Sequence, residues 1–148
     1  MSDYEEIVNL LHSYPELVNT GQFEAVGELF RYGEVSVVGN PKVSRGAEEV
    51  AAMYRDSTFV PSTGPDSLLY TSNLRVEIDG DTAKARSYFI AFHQKPDNVI
   101  APVVGGRYQD TLAKQDGKWI WKARVMQIDL VGDLGDHLAG SIDDYVTK

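Results

Sequence analysis

The chain has 148 residues, 43% of them hydrophobic, which suits one domain with a sizeable core, so residues 1–148 are read as a single unit. A formal charge of -8 opposes the attraction on which binding to nucleic acid and anionic membranes rests, and favours a small, weakly charged ligand. The absence of cysteine removes disulfides, thiolate metal sites and a cysteine nucleophile.

The start, Ser2-Asp3-Tyr4-Glu5-Glu6, lacks the basic and then apolar signature of a secretion signal, and no apolar run is long enough to cross a bilayer; a cytoplasmic location is expected. Ile7, Leu10, Leu11, Tyr14, Leu17 and Val18 fall on one helical face and predict a helix from about Asp3 to Thr20. Pro15 removes a backbone donor and crowds the carbonyl of Leu11, which predicts a kink there or a shortened helix. Phe23, Val26, Gly27 and Phe30 give a second short helix, with Glu24 near its start. Val35 to Val38 reads as a strand and Asn40-Pro41 as a turn. A third helix opens at Gly46 with Glu48 and Glu49, carries Ala47, Val50, Ala51 and Tyr54 on one face, and ends near Asp56. Ser57 to Ser67 and Lys95 to Pro102 read as loops that rim a pocket.

Four strand-like runs follow, Leu68 to Ile78, Thr82 to Gln94, Val103 to Lys114 and Trp119 to Leu130. Asp79-Gly80 and Asp116-Gly117 join them in pairs, and each dipeptide predicts a type I′ hairpin turn. In the tail, residues 131–148, Leu134, Leu138, Ile142 and Tyr145 recur at about helical spacing; it is expected to cap the pocket or meet another subunit.

Three further groups of residues narrow the fold. They are Leu17-Val18-Asn19-x-Gly21-x-Phe23 with Glu28-Leu29-Phe30; Arg45-Gly46; and, on the strands, Asn73-Leu74-Arg75-Val76-Glu77, Ala85-Arg86-Ser87-Tyr88, Gly106-Arg107-Tyr108 and Asp116-Gly117-x-Trp119. On these the chain resembles the SnoaL-like branch of the nuclear transport factor 2-like (NTF2-like) superfamily. The resemblance implies an α+β cone, in which three N-terminal helices pack on a strongly curved mixed or antiparallel sheet that encloses a pocket. It is similar in fold to hexachlorocyclohexane dehydrochlorinases and scytalone dehydratases. In the former, a histidine abstracts a proton, an aspartate orients it, and a lysine and an arginine complete the polar group. Laid along this chain, the aspartate falls on Asn19, the histidine on Leu69, the lysine on Tyr14 and the arginine on Arg124, so only the arginine is kept. Leu69 accepts no proton and neutral Asn19 stabilises no imidazolium, so dehydrochlorination by that route is not expected.

Arg124 is the first catalytic candidate, a cation suited to a carboxylate, phenolate or developing oxyanion; the alternative is an ion pair with Asp110 on the neighbouring strand. Lys122 and Met126 share its strand face by parity. His93 is directed inward in register with Ala83, Ala85, Ser87, Phe89 and Ala91, close to the strand end where an exposed ring is also ordinary. Asp110 is a candidate acid or base, and Tyr14 a donor. Tyr54, Tyr108, Met126, Asn19 and Leu69 are candidate substrate-binding residues, and each tyrosine reads equally as core with a satisfied hydroxyl. His12 and His137 read as surface. Leu68, Tyr70, Leu74, Val76 and Ile78 share one parity, whereas the resemblance puts position 69 in the pocket, so a bulge between Leu69 and Leu74 is required.

These features favour a cofactor-independent lyase or isomerase acting on a small apolar aromatic or polycyclic compound by elimination, dehydration or retro-aldol C–C cleavage. No phosphate loop or ligand-spaced histidine and carboxylate cluster calls for a nucleotide or a metal. The expected assembly is a homodimer or homotrimer, with neither nucleic acid nor membrane as partner. The alternatives are a non-catalytic small-molecule binding protein and an accessory subunit of a ring-modifying enzyme.

Overall fold

The computed structural model describes residues 1–56 and 66–132. In chain order the elements are α1 (Asp3–Asn19), α2 (Phe23–Leu29), β1 (Glu34–Val37), β2 (Val43–Arg45), α3 (Gly46–Asp56), β3 (Ser67–Asp79), β4 (Thr82–Gln94), β5 (Ile100–Gln115) and β6 (Lys118–Val131). The strands form one curved, open sheet in the order β2-β1-β6-β5-β4-β3. β1 runs parallel to β6 and every other pairing is antiparallel, so the sheet is mixed. The three helices lie on this sheet, giving the α+β cone that the resemblance implies. β2 was not anticipated, because three residues are too few to show a period. Of the predicted loop Ser57 to Ser67, residues 57–65 lie outside the described residues, as does the tail with Leu134, His137, Leu138, Ile142 and Tyr145, and Ser67 already belongs to β3. The predicted loop Lys95 to Pro102 is shorter, because β5 starts at Ile100.

α1 begins with a capping box: Glu5 N donates to Ser2 Oγ at 3.1 Å and Ser2 N donates to Glu5 Oε2 at 2.8 Å. The acidic first turn also docks the helix on the sheet. Asp3 Oδ1 accepts from Lys114 Nζ (2.9 Å) and Trp119 Nε1 (3.0 Å), and Glu6 Oε1 accepts from Trp119 N (2.9 Å). Pro15 does not shorten the helix, which continues for another turn to Asn19. Ile7, Leu11, Tyr14 and Val18 are buried by it against the sheet. Among the described residues no helix is long and apolar enough to cross a membrane.

Three irregularities decide which side chains face the helices. The β3–β4 ladder slips between Ser72 and Arg75, where Asn73 takes a left-handed backbone (φ 56°). Leu69 therefore points inward, Leu68 and Tyr70 point outward, and the inward set resumes at Leu74 and Val76. This is the bulge the sequence required. A second slip, opposite Thr111 and Leu112 on β5, brings both Trp121 and Arg124 of β6 inward. It overturns the expectation that Lys122 shares the face of Arg124, because Trp121 takes that place. The third, between Gly105 and Gly106, lets Tyr108 pair with Met126.

The turns also differ from each other. Asp116 and Gly117 both have positive φ (51° and 78°), the type I′ pattern expected. In the first hairpin Asp79 pairs with Thr82, so the loop is Gly80-Asp81, and of these only Gly80 has positive φ (59°). A positive angle confined to the first loop position is the type II′ pattern, which replaces the type I′ expectation there.

Candidate functional site

Along β5 and β6 the ladder puts Asp110 directly opposite Arg124, both on the inward face. Arg124 Nε donates to Asp110 Oδ1 at 2.8 Å and Nη2 to Oδ2 at 3.1 Å, with side-chain exposures of 2% and 0%. Trp121 Nε1 donates to the same Oδ1 at 3.0 Å. A fork of this kind fixes the guanidinium plane. Aromatic rings surround that plane: Arg124 Cζ lies 3.6 Å from the Tyr108 ring centre, 4.4 Å from Tyr14 and 4.5 Å from Trp121. The negative faces of these rings compensate part of the hydration the cation has lost. Arg124 Nη1 is buried and has no hydrogen-bond partner among the described residues.

The tyrosines arrive from three elements. Tyr14 of α1 and Tyr54 of α3 share a hydroxyl–hydroxyl hydrogen bond in which either can donate. Tyr108 of β5 stacks on Phe89 of β4 at 4.5 Å and 15°. All three tyrosines are buried. Burial pushes the phenols of Tyr54 and Tyr108 well above their usual range, and that of Tyr14 less far because the charge of Arg124 opposes the burial. They are therefore neutral donors at physiological pH. Burial alone would lower the pKa of the Arg124 guanidinium, but the Asp110 carboxylate more than offsets it, and the group remains a cation.

Arg124, Asp110, Tyr14, Tyr54 and Tyr108 thus form one group, and Met126, buried beside Tyr108, adds its thioether to the same wall. Asn19 and Leu69 meet elsewhere, on the backbone. Asn19 Nδ2 donates to Leu69 O at 3.0 Å and Asn19 Oδ1 accepts from Leu69 N at 2.7 Å, so the amide ties the end of α1 to β3. His93 lies on the same inward row, paired with Ser67, and is half-buried. It stands two strand positions, roughly 7 Å, beyond Ala91, the partner of Leu69, which puts it at the rim. Asp110 accepts three hydrogen bonds from two cation nitrogens and an indole, an arrangement that orients Arg124. Trp121 was missed by sequence reasoning, since the bulge that turns it inward leaves no mark on strand parity. Among the described residues no group of histidines and carboxylates is placed to hold a metal.

A model of the SnoaL-like domain matches residues 1–125. Among solved structures, an NTF2-like protein with a cystatin-like fold from Novosphingobium aromaticivorans is 26% identical, with a TM-score of 0.75 over 84% of this chain and 80% of that one. A protein of unknown function from Mycobacterium tuberculosis is also 26% identical, with a TM-score of 0.73 over 95% and 79%. A scytalone dehydratase-like protein from Novosphingobium aromaticivorans shares the fold at 22% identity, with a TM-score of 0.69 over 95% and 93%. No curated protein sequence gives a significant match. The chain belongs to the SnoaL-like family and has the NTF2-like fold.

Proposed function

We propose that this protein is a cofactor-independent lyase or isomerase acting on a small apolar aromatic or polycyclic compound, as one domain assembled into a homodimer or homotrimer. The observation that carries the reading is the buried Arg124 held by Asp110 and walled by tyrosines, with one guanidinium nitrogen left to donate. Retro-aldol cleavage, and an elimination or dehydration that begins by removing a proton beside a carbonyl, move electrons onto the carbonyl oxygen to give an enolate, from which the elimination then expels its leaving group. Arg124 Nη1 and a tyrosine hydroxyl are donors of the kind that stabilise such an oxyanion, at full strength in a site without water. Met126 and the aromatic rings around the guanidinium make an apolar setting that suits a ring compound. In this reading Asp110 is a positioning residue, and His93 at the rim moves the proton. The family includes cofactor-free isomerases, dehydratases and cyclases, which agrees with it.

A second reading is favoured by the Asn19–Leu69 clip, which occupies the positions of the dehydrochlorinase dyad with a structural contact. It is a small-molecule binding protein, or an accessory subunit, that uses the same donors without turnover. Incubation with hydroxylated aromatic and polycyclic ketones, followed by mass spectrometry, separates the two. The enzyme reading expects a product that Arg124→Lys slows on the order of a hundredfold, the scale of one oxyanion donor. Ligand-dependent thermal stabilisation without product would establish the binding protein instead.

A further inference from the structure

On the face of the sheet away from the helices, the Asn73 bulge brings Arg75 of β3 directly opposite Arg86 of β4, and Glu77 opposite Lys84. Gln109 and Thr111 of β5 extend these two rows. With Ala85 and Asp110 these six residues line a groove of about 390 Å³ at the hairpin end of the sheet. Like charges directly opposite each other on a sheet destabilise it. Among the described residues none of Arg75, Lys84 and Arg86 forms an ion pair, although the chain carries eight more negative than positive charges. The carboxylate of Asp110 is buried and paired with Arg124, so three cations stand against the exposed carboxylate of Glu77 and leave two unbalanced positive charges around the groove.

We propose that this groove is a binding site for a phosphorylated small molecule, separate from the buried tyrosine and arginine group. A phosphomonoester carries about -1.5 to -2 charges at neutral pH, which matches the excess, and its three oxygens can take the forks of both arginines at once. Seating it converts a repelling cross-strand pair into two charge-assisted contacts. Gln109 and Thr111 offer neutral hydrogen-bonding groups to the organic part, and the groove is several times the volume of a phosphate group. The apolar outward residues Tyr88, Ile90, Tyr70 and Leu68 begin one outward row beyond Arg86 and run away from the hairpin turn along β3 and β4.

The test is a two-dimensional NMR titration of the full chain with inorganic phosphate and with pyrophosphate at constant ionic strength, with Arg86→Gln and Arg75→Gln in parallel. Saturable shifts centred on Arg75, Lys84, Arg86 and Thr111 are expected. Affinity for inorganic phosphate should rise as pH is taken from 5 through neutrality and the anion passes from one charge to two, and should fall on the order of tenfold in either variant. Removing one of two opposed cations relieves repulsion, so both variants should melt no lower than the parent. Absence of saturable shifts at these residues, or equal affinity in the variants, would overturn the site. So would a change of sedimentation on Arg86→Gln without phosphate binding to the parent, which would make the groove a subunit contact.

Discussion

The side-chain amide of Asn19 pairs with the backbone of Leu69 as a neighbouring strand would, donating from Nδ2 and accepting at Oδ1. β3 is the edge of the sheet, so this clip satisfies backbone groups that the ladder leaves open and holds α1 against the cone. It also explains why an amide stands where the dehydrochlorinases carry an aspartate. A carboxylate accepts from the Leu69 N–H but has nothing to give the carbonyl.

Asn19→Ala should therefore cost about 1–3 kcal/mol, the scale of leaving two half-buried backbone groups unmade. Asn19→Asp should be pH-dependent in a diagnostic way. The protonated acid can donate to Leu69 O, so its folded pKa rises above the unfolded value of about 3.9. The restored contact is then fully present below about pH 4 and is lost as pH rises through the folded pKa. Urea midpoints should show the gap between Asn19→Asp and the parent narrowing below pH 4. A gap that stays constant would remove the hydrogen bond from the explanation.

Asp110 and Arg124 should be strongly coupled. Asp110→Ala leaves a buried cation and an indole N–H unpaired, and Arg124→Met leaves a buried carboxylate; each should cost about 3–5 kcal/mol. The double variant should recover part of this, since neither charge is then left buried without its partner, while the Trp121 N–H stays unpaired. A urea-denaturation cycle that gives additive costs would show that the two groups do not depend on each other.

The three buried tyrosines make alkaline stability a second readout of the cluster. Their folded pKa values lie above the unfolded value of about 10, so the stability they contribute is complete below pH 10 and falls as pH climbs toward the folded values. Absorbance titration should show Tyr14, Tyr54 and Tyr108 ionising only as the protein unfolds. Tyr54→Phe should flatten the fall in Tm above pH 10. If all the tyrosines ionise together below the unfolding transition, the cluster is open to water.

Sequence periodicity was enough for the helices and the four long strands, because Ile7 to Val18 and Ala83 to Ala91 keep one period throughout. It was enough for Arg124, Asp110 and Tyr108 as well, which lie on stretches of regular parity. Parity failed wherever the ladder slips: Trp121 and Lys122 exchanged places, and only the demand that Leu69 face inward exposed the bulge at Asn73. The clip of Asn19 on Leu69 spans fifty positions and joins a side chain to a backbone, a contact that no residue pattern encodes. The opposed Arg75 and Arg86 depend on the same bulge and were equally hidden.

Two neighbouring glycines on β5 supply a direct test of how tightly the aromatic wall is packed. A methyl group on Gly106 would lie 2.1 Å from Gln127 O and 2.8 Å from the ring of Phe89, which is itself stacked on Tyr108; on Gly105 it would find only Phe89 O at 3.6 Å. The backbone oxygen has no rotamer to retreat to, so Gly106→Ala must shift β6 or push Phe89 off Tyr108, and overpacking of this kind costs typically about 1–3 kcal/mol, occasionally more. Gly105→Ala meets only an ordinary van der Waals contact and should change stability by no more than about 1 kcal/mol, with either sign. Denaturation midpoints measure the contrast. In Gly106→Ala the displaced Phe89 should also loosen Tyr108 against Arg124, so its near-ultraviolet circular dichroism should fall while that of Gly105→Ala does not. Equal stability for the two variants would mean that β5 and β6 sit further apart at this bulge and that Tyr108 is not held by the stack.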